Sequence, residues 1–311
     1  QLLPQVSSIT VIIFIRVFTF HYDTYLQKLY HPMLILSNIT LHFRDKNVII
    51  IPVAVDTFQS DIMIINGDLF MSILNVEHVT HGFGARQIMN DVSFRLLSGE
   101  HVGLVGANGE GKSTFLNIIT GKLMPDEGTV EWCRHITTGY LDQYSTLEKG
   151  KTIRDVLREA FVHLSELENE MIQLYDKMSD CSEEEMNDLM EEVGEIQSIL
   201  DYSGYYTIDS KISEYANGLG LNEIGLDREV TELSGGQRAK VLLAKVLLEN
   251  PMILILDEPT NFLDENHIAW LTNFLQNYEN AFILVSHDIP FMNSVINVVY
   301  HVENAVMTRY T

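Results

Sequence analysis

The sequence is short of cysteine and of positive charge. Its two cysteines, Cys133 and Cys181, stand far apart with neither CxxC nor Cys/His spacing. That argues against a disulfide framework or a thiolate metal site and for a reduced, cytoplasmic protein. Basic side chains number 20 against 43 acidic ones, a formal net charge of −23. Such a chain has no general attraction for phosphate backbones or anionic membranes, which leaves a local basic patch as the route to any RNA contact. A long apolar run is missing as well. The nearest approach, VSSITVIIFIRVFTF at Val6–Phe20, is broken by Arg16 and falls short of the roughly 20 residues a spanning helix needs. It also lacks the basic leader and small-residue cleavage site of a signal peptide. Its β-branched and aromatic content suits a strand or irregular chain. There is no internal repeat and no low-complexity tract.

What is present divides in three. Residues 1–70 are apolar, irregular and without a motif, and the first residue is Gln1 rather than a methionine. MSILNVEHV, from Met71, reads as the start of a coherent domain, so 1–70 is expected to be a non-native or frame-altered extension, with a small accessory module as the alternative. From Met71 to about Gln143, strands and tight turns lead into one glycine-rich loop. Residues 147–203 then turn acidic and helical. Apolar positions recur at Leu164, Leu167, Met171, Leu174 and Met178, and again at Met186, Leu189, Val193, Ile196 and Leu200, in steps of three and four that place each set on one helix face. Ser182, with Glu185 three residues on, supplies a capping box between the two runs. The pattern predicts an antiparallel helical hairpin, either a solvated docking arm or helices packed on the core. Strand–helix alternation returns over 205–311, where Ile253–Leu256 and Phe282–Val285 have the unbroken apolar content of buried parallel strands.

Chemistry enters at GANGEGKST, which fits G-x-x-x-x-G-K-[ST] in full: Gly106, Ala107, Asn108, Gly109, Glu110, Gly111, Lys112, Ser113 and Thr114. HVGLV before it reads as a strand and TFLNIITG behind it as a helix, the setting a phosphate-binding loop requires. Glycines let backbone N–H groups converge on phosphate, and the helix N-terminus adds partial positive charge. Lys112 is expected to reach the β- and γ-phosphates and the Ser113 hydroxyl to ligate Mg²⁺. A second landmark, ILILDEPTNFLD, ends a buried strand in adjacent acids. Asp257 would be the second magnesium anchor. Glu258, one residue on and so aimed elsewhere, would be the general base for the attacking water, a role contributing about 10²–10⁴-fold. Between them, ELSGGQRAKV sets Ser234, Gly235, Gly236 and Gln237 at the start of a helix near Gln237. That second phosphate-binding helix end has no use for the same nucleotide and is expected to face one held by another domain.

LSGGQ together with the two loops and VSHD resembles the ATP-binding cassette superfamily. GANGEGKST, LSGGQRAKV and DEPTNFLD resemble its ABC-F branch, soluble translation-associated ATPases, over about residues 71–311. Asn261 follows that branch, whereas Phe262 departs from its usual histidine. The resemblance implies an α/β P-loop NTPase fold of ABC type: a mostly parallel core sheet flanked by helices, an antiparallel β subdomain, and a helical subdomain (about 147–232) carrying the hairpin arm. It also implies residue roles: Phe83 for stacking on adenine, Gln143 near Mg²⁺ and the attacking water, Asp264 at the dimer seam, and His287 on the γ-phosphate. Two such cassettes close on ATP between one phosphate loop and the opposite LSGGQ. One copy of each is present, so the chain is expected to be a poor hydrolase alone and to need a second cassette, as half of a tandem protein or as a homodimer. The resemblance further implies ATP hydrolysis on the ribosome, in translation control or antibiotic protection. A transporter's nucleotide-binding subunit is the alternative, and a non-catalytic ATP-clamped module a third reading, which Glu258 and His287 disfavour.

Overall fold

Two kinds of apolar strand build two different sheets. The computed structural model describes residues 42–45, 48–55, 58–65, 68–141 and 147–311, with side chains from Ser72 onward except 180, 183 and 184. All of these residues fall in the unit Asn38–Thr311. Val6–Phe20 lies outside them. The first sheet is antiparallel, in the order β1 (His42–Asp45), β2 (Val48–Val55), β3 (Phe58–Ile65), β4 (Asp68–Phe83) and β5 (Arg86–Leu97), with β7 (Glu127–Trp132) also paired to β4. Met71 is not a strand start. It pairs with Ile62 of β3 inside the 16-residue β4, whose later residues pair with β5 and β7. LFMSIL carries no glycine or proline to stop a strand, and a long strand with free edge groups is a template for further pairing. His42–Asp45, Val48–Val55 and Phe58–Ile65, in a stretch read from the sequence as irregular, are strands.

The second sheet runs β12 (Val306–Tyr310), β11 (Val298–Glu303), β6 (His101–Val105), β10 (Ala281–Val285), β9 (Ile253–Asp257) and β8 (Thr138–Leu141). All neighbours are parallel except the β11–β12 hairpin. Strands β9 and β10 are apolar at nearly every position because both faces are covered. Val285 is in register with Asp257, and β10 separates β6 from β9. The carboxyl ends of β6, β9 and β10 therefore open along one edge, where α/β sheets place their ligands.

Helix α1 (Lys112–Ile119) follows the β6 loop and buries Phe115, Leu116, Ile118 and Ile119 in a core shared with both sheets. A second core belongs to the helical part: α2 (Ile153–Arg158), α3 (Val162–Lys177), α4 (Glu183–Tyr202), α5 (Ile208–Gly218) and α6 (Gly235–Glu249). Helices α3 and α4 form the foreseen hairpin, and Ser182 and Glu185 form the capping box in both directions. Leu164, Met171, Leu174, Val193, Ile196 and Leu200 are buried in one cluster with Val241, Ala244 and Leu247 of α6. The hairpin's inner face is thus core packing, and its outer face carries the acids. Helices α7 (Glu265–Gln276) and α8 (Ile289–Val295) complete the chain. Among the described residues no helix is long and apolar enough to cross a membrane.

Candidate functional site

The loop between β6 and α1 has a backbone that only glycine can adopt at its two ends. Gly106 sits at φ +153, and a Cβ there would lie 2.4 Å from the Val302 carbonyl oxygen. Gly111, which caps α1, sits at φ +104 with Ile88 Cγ2 2.6 Å from where a Cβ would be. Close packing against β11 and β5 thus moulds the loop. Lys112 is buried and folds back over it, donating to the carbonyls of Gly106 (2.7 Å) and Ala107 (3.0 Å). The Ser113 hydroxyl donates to Asp257 Oδ2 at 3.3 Å, joining the start of α1 to the end of β9. Burial pushes the Asp257 carboxyl above its ordinary range, against the pull of the Ser113 hydroxyl and the Lys112 and His287 charges.

Glu258 is left-handed at φ +51, a conformation that costs a non-glycine residue energy and clusters at functional sites. Its N–H donates to Val285 O at 2.8 Å, so the chain turns off β9 towards β10. The two adjacent acids thereby part company: Asp257 meets Ser113, while Glu258 Oε2 accepts the His287 backbone N–H at 3.2 Å. Glu258 Oε1 lies 3.3 Å from His287 Nε2 without hydrogen-bond alignment, and is buried with no hydrogen-bond partner. Burial, with Asp257 adding to it, raises the Glu258 carboxyl, while the hydrogen bond from His287 and the charges of His287 and Lys112 oppose this. An acceptor so placed can take a proton from a water entering the cleft.

Asn108, Gly109, Gly111–Thr114, Asp257, Glu258, Val285 and His287 line one cleft of about 250 Å³, several times the ≈ 30 Å³ share of one water. No cluster of three or more His, Cys, Asp or Glu among the described residues could hold a metal on its own. Ser113 and Asp257 are two hard oxygen donors beside a phosphate-shaped loop. They fit Mg²⁺, which takes one or two protein oxygens and fills its shell with water and substrate phosphate. The Glu110 carboxylate faces out of this cleft and accepts the Asn304 N–H at 2.9 Å.

The other candidates lie outside the cleft lining. Phe83, more than half exposed at the tip of β4, meets the His81 ring edge-on at 4.9 Å. Across its hairpin, Arg86 Nη2 donates to the Gly109 carbonyl at 3.0 Å, so the aromatic tip and the loop are fastened together. Helix α6 begins at Gly235, two residues before the foreseen start. Ser234 caps it by accepting the Gln237 N–H, and the Gln237 side chain accepts the Ser234 N–H at 2.9 Å. The Gln237 side-chain oxygen is thus turned to its own cap, while the backbone at the start of α6 carries the N–H donors of the sequence reading. Gly236 stands against the Phe262 ring, 3.2 Å from where its Cβ would be. Asp264 caps α7 by accepting the His267 N–H at 3.1 Å, and that bond holds its carboxyl below the usual range. Gln143 lies outside the described residues. Arg86 and Asn304 escaped sequence reasoning, since each meets the loop from a distant stretch of chain.

The family model described as ABC transporter matches residues 89–261. A Bacillus subtilis (strain 168) protein named Uncharacterized ABC transporter ATP-binding protein YfmM is 65% identical over 240 residues, covering 77% of this chain and 46% of its own length. ABC transporter F family member 2 of Arabidopsis thaliana is 31% identical over 76% of this chain and 35% of its own. Energy-dependent translational throttle protein EttA of Haemophilus influenzae is 33% identical over 68% and 37%. The chain thus spans less than half the length of these relatives. A solved structure titled Structure of ATP binding subunit of ABC transporter superimposes at TM-score 0.56 and 20% identity, over 77% of this chain and 90% of that one, a likeness of fold.

Proposed function

We propose a mechanism from a family premise: this chain belongs to the ABC transporter family and carries an ATPase cassette resembling its F branch. ATP binds along the loop of Gly106–Thr114, with Phe83 against the base and Lys112 released from its loop carbonyls to the β- and γ-phosphates. Ser113 and Asp257, with Gln143, would hold Mg²⁺, which would supply positive charge against the charge that develops on the phosphates. Glu258 takes the proton of the attacking water through the acceptor it leaves unpaired, and His287 steadies the γ-phosphate side. A second cassette, in the same polypeptide or another copy, presents its Ser234–Gln237 equivalent, and Asp264 lies at the seam. The γ-phosphate then sets the balance between closed and open pairs.

The ribosome is the proposed site of action, in translation control or antibiotic protection. Similarity to a translational throttle protein and to an F family member supports this reading. The observation that carries the ATPase reading is the Ser113–Asp257 contact beside a buried Glu258 oxygen that has no hydrogen-bond partner. Co-sedimentation with ribosomes and with membranes in the presence of ATP tests the whole, comparing the natural chain with Glu258→Gln. Trapping of the variant on ribosomes supports the proposal. Retention on membranes supports a transporter subunit instead, and indifference to the substitution a non-catalytic clamp.

A further inference from the structure

A carboxylate in the middle of a phosphate-binding loop is a hazard, because swung inward it would repel the triphosphate. Glu110 does not swing inward. Its Oε2 accepts the backbone N–H of Asn304, 194 residues along the chain, at 2.9 Å. Asn304 and Ala305 form the two-residue turn between β11 and β12, and both are left-handed at φ +52 and +63 with neither a glycine. This is the backbone such a hairpin demands, one that Asn304 takes readily and Ala305 bears with strain. The turn is pinned from its other side, where the Ala305 carbonyl accepts the Asn90 N–H of β5 at 2.8 Å. A strained, doubly fastened turn therefore aims one N–H at one loop carboxylate.

We propose that Glu110 is a positioning residue for nucleotide binding. The Asn304 amide draws its carboxylate off the phosphate path and, through it, sets the backbone of the loop that Gly109 and Gly111 shape. The proposal rests on the reading of this cleft as an ATP site. It makes an unusual demand on the side chain: reach matters more than charge. Gln keeps the acceptor and the reach. Alanine loses both, along with the charge. Aspartate keeps the charge and loses the reach, so its carboxylate is left on the phosphate side.

MgATP titration of the full chain, followed by a fluorescent nucleotide and paired with thermal melts, tests this on Glu110→Gln, Glu110→Ala and Glu110→Asp. Loss of one net hydrogen bond corresponds to about five- to tenfold in affinity. Glu110→Ala is expected to bind that much more weakly and Glu110→Gln to recover most of the loss. Glu110→Asp is expected to bind weakest of all, with melting points close together. Three results overturn the proposal: alanine binding as tightly as the natural residue, aspartate matching glutamate, or affinity falling only in step with melting temperature and without rescue by Gln. If the unsubstituted chain binds no MgATP, the functional reading of the cleft falls and this proposal with it.

Discussion

Replacing Gly111 with alanine adds one methyl group, and the structure gives each part of its cost. The backbone at φ +104 is one an L-residue enters at about 1–2 kcal/mol. The new Cβ would also stand 2.6 Å from Ile88 Cγ2, on a residue buried between β5 and the loop. Relieving such an overlap in a packed site costs about 1–3 kcal/mol, so the two terms together come to about 2–5 kcal/mol. Gly121 supplies the internal reference: its φ is +74, but nothing lies within 4 Å of where its Cβ would point. Gly121→Ala therefore reads the backbone cost alone, about 1–2 kcal/mol. The difference between the two variants in urea unfolding isolates the clash. Because Gly111 also caps α1, whose first amides face the cleft, MgATP affinity should fall in Gly111→Ala and hold in Gly121→Ala. Equal stabilities and equal affinities for the two variants would refute the claim that Ile88 moulds the loop.

Further outcomes can be checked alongside. Phe115→Ala, emptying a fully buried site whose ring lies 5.0 Å from Phe94, should cost about 3–5 kcal/mol in chemical denaturation. Ser182→Ala removes the cap of the second arm helix and should cost about 1 kcal/mol, with less helix by circular dichroism. Burial raises the folded-state pKa of Asp257, so its favourable contribution is full below the unfolded value, near about 3.9, and is lost as pH rises through the folded value. Asp257→Asn should therefore gain stability over the natural chain at neutral pH, and the gap should close in acid. Glu258→Gln should slow ATP hydrolysis by the paired cassettes about 10²–10⁴-fold, with MgATP affinity largely kept.

Local structure was legible where one stretch of chain carries both the conformation and the group. The β6 loop, the Asp257–Glu258 strand end and the Ser182 cap are of this kind, since turn, strand and cap preferences act within a few residues. What the sequence hides is pairing across the chain. Nothing near Glu110 announces Asn304, nothing near Arg86 points to Gly109, and Ile88 looks like any strand residue until Gly111 stands against it. The length of β4 was hidden too, because LFMSIL is equally good β sequence on both sides of Met71. Phe262 was visible as a departure, but its seat against Gly236 came only from the packing of the β9 turn on α6.

The arm does not end where the body begins. Leu164, Met171 and Leu200 share their dry interior with Val241 and Leu247 of α6, the rod whose first residue is clasped by Ser234 and Gln237. Amputating the whole hairpin would strip the outer part of that shared core. An engineer who wants a shorter arm must trim it beyond Met171 and Val193.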